Sequence, residues 1–159
     1  MEIRPLAGNA EAERCAAMMS ATDPWLTYGR KYDACLKALL DQTSELFVAV
    51  DDGAVIGFIA IVMRGALVGY IRMICVDASA RGKGLGSQLV AFAEERIFRE
   101  TPNVFLFVSE FNTRARALYE RLGYEKVAEM RDYIARGIAE ILMRKTRGPL
   151  AEFSSSSRA

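Results

Sequence analysis

The sequence predicts an α/β domain of the α+β kind, a mixed and mostly antiparallel sheet of about seven strands flanked by about four helices. Three observations predict it. Apolar residues recur at i, i+3, i+4 and i+7 in well-separated windows. Short β-rich runs bounded by turn residues follow one another in the first half and again at the end. Between them lies a run, a glycine segment, a helical window and a second run, which requires a crossover and hence one parallel strand pair.

The elements follow in order. Ile3 and its neighbours form a short first strand, and Ala12, Cys15, Ala16 and Met19 then fall at helical spacing. Ser20 to Pro24 is a breaker cluster, after which Tyr32, Cys35, Leu36 and Leu39 place a second helix at about Tyr28 to Leu40. Leu46–Val50 and Val55–Met63 are β-rich runs separated by Asp51-Asp52-Gly53-Ala54, good hairpin chemistry. A third run, Leu67–Val76, completes a meander and leads into the glycine segment. Leu85, Leu89, Phe92 and Ala93 line one face of a helix running towards Arg99, which Thr101-Pro102-Asn103 ends. Val104–Val108 is the crossover strand. Asn112 caps a helix that buries Ala115, Leu118, Tyr119 and Leu122 and stops at Gly123. Tyr124–Ala135 and Ile138–Lys145 read as a hairpin around Arg136-Gly137.

With 159 residues, 52% of them hydrophobic, the chain suits one domain over residues 1–147, with 148–159 as a disordered, serine-rich tail. The 21 basic and 20 acidic residues are spread evenly, and the net charge of +1 gives no nucleic-acid footprint and no polybasic membrane patch. Ala54–Met63, the most apolar window, is about half of the ~20 residues a spanning helix needs. Met1 to Pro5 lacks the apolar core of a signal peptide. Cys15, Cys35 and Cys75 are odd in number and far apart, which argues for buried thiols in a reducing, cytoplasmic setting. Histidine is absent, which removes Ser/His/Asp and Cys/His catalysis and, with so few cysteines, leaves no metal site to expect. A general base must be a carboxylate, a tyrosine, a lysine or a water.

Arg81-Gly82-Lys83-Gly84-Leu85-Gly86 reads as an anion cradle. Its glycines let the backbone turn tightly so that N–H groups converge on one ligand, and the helix N-terminus that follows favours phosphate. A dinucleotide site would need G-x-G-x-x-G directly after the strand, and a Walker loop would need Ser or Thr after Gly82-Lys83; neither pattern is present.

The sequence Arg81-x-x-Gly84-x-Gly86, with its helix and strand, followed by Asn112-x-x-Ala115-x-x-Leu118-Tyr119 and Leu122-Gly123-Tyr124, resembles the GNAT superfamily of acyl-CoA-dependent N-acyltransferases. The resemblance covers about Ile3 to Lys145. It implies a parallel strand pair that splays into a cleft, acetyl-CoA as acyl donor, and direct transfer to a primary amine of a small molecule or peptide. It implies that the backbone of Arg81, Gly82, Lys83, Gly84, Leu85, Gly86 and Ser87 holds the pyrophosphate. Ile74 and Val76 would offer backbone groups to the pantetheine arm, and Asn112 would contact the cofactor. Tyr119 would be the general acid that protonates the leaving thiolate, and the final hairpin would support a homodimer.

The base is open. Some relatives carry a glutamate on the strand before the cradle, where this chain has Tyr70, Arg72 and Met73. Glu110 is the first candidate, with Asp77, Asp23 and a water relay behind it. Trp25 and Tyr28 face either the acceptor or the core. A non-catalytic acyl-CoA-binding module is the rival reading, and a nucleotide-binding domain that prefers NAD or ATP is a third.

Overall fold

The computed structural model describes residues 1–154. The strands are β1 (Glu2–Pro5), β2 (Glu45–Asp51), β3 (Ala54–Val62), β4 (Tyr70–Val76), β5 (Asn103–Ser109), β6 (Glu125–Arg131) and β7 (Ala139–Thr146), in the sheet order β1-β2-β3-β4-β5-β7-β6. The helices are α1 (Asn9–Ser20), α2 (Tyr32–Leu39), α3 (Leu85–Ile97) and α4 (Thr113–Arg121). The architecture is the mixed, mostly antiparallel sheet expected from the sequence, with one parallel pair. None of the described helices is long and apolar enough to cross a membrane.

The chain forms two compact units. The first comprises Met1–Ile61 and Arg72–Phe92. In it β1 pairs antiparallel with β2, and β2 with β3, from Glu45↔Ile61 to Asp51↔Ala54. Its core is apolar: Cys15, Met19, Cys35, Val48, Phe58, Ala60 and Cys75 are buried together, with Trp25 packed against them. The Trp25 indole therefore serves packing, the apolar body of an aromatic side chain covering the cluster. All three cysteines are free and buried, as the sequence indicates.

The second unit comprises Val62–Ile71 and the chain from Ala93 onward. Here Tyr70↔Phe105 and Ile71↔Leu106 form the parallel pairing, and β7 lies between β5 and β6, antiparallel to both. Val104, Leu106 and Val108 on β5 are buried, as are Ile141 and Met143 on β7. β6 is an edge strand with exposed charge, which blunts the edge against further pairing.

Four element boundaries differ from the sequence reading. α2 begins at Tyr32 and not near Tyr28, because Asp23 Oδ1 accepts from the Thr27 N–H and hydroxyl (3.1 and 2.6 Å) and Gly29 adopts φ 66°, closing a separate series of turns. β4 begins at Tyr70 because Gly69 is left-handed. A Cβ there would collide with the Asn103 backbone carbonyl and lie 2.6 Å from Ile97 Cγ2, so the close approach of β5 and the end of α3 requires glycine. α3 stops at Ile97, where the Glu100 and Thr101 N–H groups both donate to the Ile97 carbonyl. The last hairpin turns over residues 132–138, with Asp132 Oδ1 accepting the Gly137 N–H, so its strands are shorter than expected. Gly148–Ser154, read as disordered, contains a 3-10 turn at Leu150–Glu152, and 155–159 lie outside the described residues.

Candidate active site

The first unit carries the glycine segment. β4 alternates buried Ile71, Met73 and Cys75 with half-buried Tyr70, Arg72, Ile74 and Val76, the period of a strand. It ends at Val76, and the N–H of the next residue, Asp77, donates to the Ile56 carbonyl (2.9 Å). Asp77 then caps a 3-10 turn at Ala78–Ala80, accepting from the Ser79 N–H (2.9 Å) and hydroxyl (2.6 Å). Those bonds to Ser79, with the Arg14 guanidinium 2.5 Å from Oδ2, hold its carboxyl below the ordinary carboxylate range. As a candidate base, Asp77 is thus committed to this cap.

Arg81 anchors the next turn. Its Nε donates to the Val76 carbonyl (3.1 Å) and its Nη2 to Thr22 Oγ1 (2.9 Å). Gly82 and Gly84 follow at φ 78° and 82°, and a Cβ at either would meet no atom within 4 Å. Among the described residues, no N–H group from Gly82 to Ser87 has a protein acceptor. The first turn of α3 therefore presents its unpaired N–H groups beside an unobstructed glycine backbone, an arrangement suited to an anion.

The second unit holds the remaining candidates. Glu110 follows β5 and is fastened to β7: its N–H donates to the Ala139 carbonyl (2.9 Å), and Oε1 accepts the Ala139 N–H (2.9 Å). Its Oε2 lies 3.7 Å from Arg131. Asn112 caps α4 through Oδ1, which accepts the Ala115 N–H at 3.3 Å. Two turns on, Tyr119 is 5% exposed and packs edge-on to Tyr124, with ring centroids 5.9 Å apart. Burial alone pushes its phenol upward, so the hydroxyl is held protonated. Among the described residues it makes no hydrogen bond.

Behind Tyr119 is a polar group that the sequence does not mark. Lys145 Nζ donates to Glu94 Oε2 (2.6 Å) and lies 5.9 Å from the centre of the Tyr124 ring. Tyr124 Oη and Glu94 Oε1 are buried without a hydrogen bond of normal geometry, while burial and then the Glu94 charge push the Tyr124 phenol upward. Thr22, Arg14 and this group were invisible in the sequence because each acts through a partner distant in the chain, with no local spacing to reveal it.

The profile of the Acetyltransferase (GNAT) family matches residues 10–124. Blasticidin-S acetyltransferase of Streptomyces morookaense is 37% identical over 78 residues, covering 45% of this chain and 57% of that protein. Mycothiol acetyltransferase of Thermomonospora curvata is 38% identical over 84 residues, 52% of this chain and 28% of that protein. The chain thus spans about half or less of these curated relatives. An aminoglycoside 6'-N-acetyltransferase solved with coenzyme A superposes with a TM-score of 0.77 at 19% identity, over 94% of this chain and 98% of that one. The fold agrees, and the family match extends from α1 through the cradle and α4 to Tyr124: the chain belongs to the GNAT acetyltransferase family.

Proposed function

We propose that the chain is an acetyl-CoA-dependent N-acetyltransferase that moves the acetyl group directly to a primary amine. The single observation that carries this is the cradle, where unpaired N–H groups from Gly82 to Ser87 flank two left-handed glycines with open space at their Cβ positions. Acetyl-CoA, when bound, supplies the acyl group as an activated thioester. Its pyrophosphate fits the cradle because the convergent donors are backbone, and side chains at Gly82 and Gly84 would obstruct them.

In this reading the Gly82 to Ser87 backbone binds the pyrophosphate while Arg81, its N–H bonded to the Ala78 carbonyl, anchors the turn; Ile74 and the Val76 N–H orient the pantetheine arm, and Asn112 contacts the cofactor while capping α4. Tyr119 is the general acid. Burial holds its phenol protonated, the form a general acid requires. Glu110 is the base for the incoming amine; its bonds to Ala139 fix the carboxylate in place and leave Oε2 to a longer contact with Arg131. No covalent acyl-enzyme is involved, since all three thiols are buried and pushed away from the thiolate form.

Those free thiols suit a reducing compartment and support a cytoplasmic location. Exposed Val127, Tyr133 and Ile134 on β6 and its turn support self-association through the final hairpin. Calorimetric titration with acetyl-CoA and, separately, NADH tests the donor assignment. Saturable binding of acetyl-CoA alone is expected; preference for NADH would overturn it.

A further inference from the structure

The first unit contains an open pocket of about 810 Å³ walled by α2 and the residues flanking it, with Arg72 of β4 in its lining. Its volume lies within the range of small-molecule sites. The charged groups in the wall are Arg30, Asp33, Lys37, Asp41 and Arg72, so cations outnumber carboxylates.

Arg72 is held by one edge only. Its Nη1 donates to Asp41 Oδ2 (3.0 Å), Thr43 Oγ1 (3.2 Å) and Ser44 Oγ (3.2 Å). Among the described residues, its Nε and Nη2 have no acceptor. The guanidinium is therefore oriented in advance while keeping donors for a ligand. Asp41 is itself fixed, accepting the Thr43 N–H at 3.1 Å. Elsewhere in the lining, Arg30 and Lys37 form no ion pair among the described residues. A planar fork with unused donors beside two further unpaired cations is the chemistry that recognises a carboxylate or phosphoryl group.

We propose that this pocket holds the oxyanion of the acceptor, so that the amine acetylated by this chain carries a carboxylate or phosphoryl group. The proposal rests on the acyl-transfer reading above. Arg72 is then a specificity residue, and Asp41, Thr43 and Ser44 position its fork. Arg30 and Lys37 supply long-range attraction, and the single unpaired acid, Asp33, leaves room for a zwitterionic ligand.

The test is an NMR titration of the full chain with β-alanine, O-phosphoethanolamine and ethanolamine. The first two are expected to shift the backbone amides of residues 30–41 and 72, and the stronger of them names the oxyanion. Ethanolamine is expected to leave those amides in place. Arg72→Gln should weaken oxyanion binding about tenfold or more, the loss of one charge-assisted contact. Lys37→Gln, on the exposed side of α2, should weaken it less; it decides the matter if the Arg72 variant does not fold. Equal shifts with all three amines, or binding unchanged by the substitutions, would overturn the proposal. Acetyl-CoA calorimetry on the same sample separates the two readings. If acetyl-CoA binds and the amines do not discriminate, the pocket assignment alone fails. If acetyl-CoA does not bind, acyl transfer fails, and with it the acceptor role of the pocket.

Discussion

Arg81 and Thr22 are joined side chain to side chain across much of the first unit's sequence, with Nη2 donating to Oγ1 at 2.9 Å while Nε holds the Val76 carbonyl at 3.1 Å. The guanidinium at the head of the cradle is thus used in architecture. What it leaves for a ligand is the backbone that follows it. Arg81→Ala should cost about 1–2 kcal/mol in urea unfolding, the net worth of two hydrogen bonds. Arg81→Lys should recover little of that, because an ammonium does not reproduce the fork that spans Val76 and Thr22.

Gly84→Ala should destabilise by about 1 kcal/mol, the left-handed penalty less the entropy removed from the unfolded chain, and lower Tm by about 2–4 °C. Because no atom lies within 4 Å of the added Cβ, the fold should survive while acetyl-CoA affinity falls. Gly69→Ala should be more severe in thermal unfolding, since its Cβ adds clashes with the Asn103 carbonyl and Ile97 to the same backbone strain.

Tyr119→Phe should reduce kcat by about a hundredfold, the lower end of a general acid's contribution, with KM for acetyl-CoA nearly unchanged. Steady-state kinetics checks the split. A raised KM with kcat preserved would make Tyr119 a packing residue beside Tyr124.

Acid stability should depend on Asp77. Its folded-state carboxyl is held below the ordinary value, first by the Ser79 hydroxyl and N–H and then by Arg14. The stabilisation is present above the unfolded value of about 3.9 and is lost as pH falls through the lower folded value, so the window lies below about pH 4. Asp77→Asn should lower stability at neutral pH and flatten this acid limb in pH-dependent unfolding.

The thiols should be inert in the folded state. Burial pushes Cys15 up to about 12 and Cys75 up to about 11, and it raises Cys35. At pH 8 even Cys75 would be roughly one part in a thousand thiolate. Ellman's reagent should therefore modify none until the chain is unfolded.

Much of this organisation was legible in the sequence because it is local. Helical spacing located α1, α3 and α4, and the Asn112 cap appears where its type and position indicated. The glycine spacing located the turn in which Gly82 and Gly84 are left-handed. Gly69 was not legible as a strand boundary, since its need for glycine comes from the Asn103 carbonyl and Ile97, both distant in the chain. Arg72 was read merely as the absence of a glutamate. Its meaning comes from Asp41, Thr43 and Ser44, which lie roughly thirty residues away in the chain.

The central claim is direct acetyl transfer to an amine, and incubation of the full chain with radiolabelled acetyl-CoA and a panel of primary amines tests it most directly. Labelled N-acetylated amine and free CoA thiol should appear together in equal amounts, with no label on the protein. Free CoA without acetylated amine, label retained on the chain, or no turnover with any amine would contradict it.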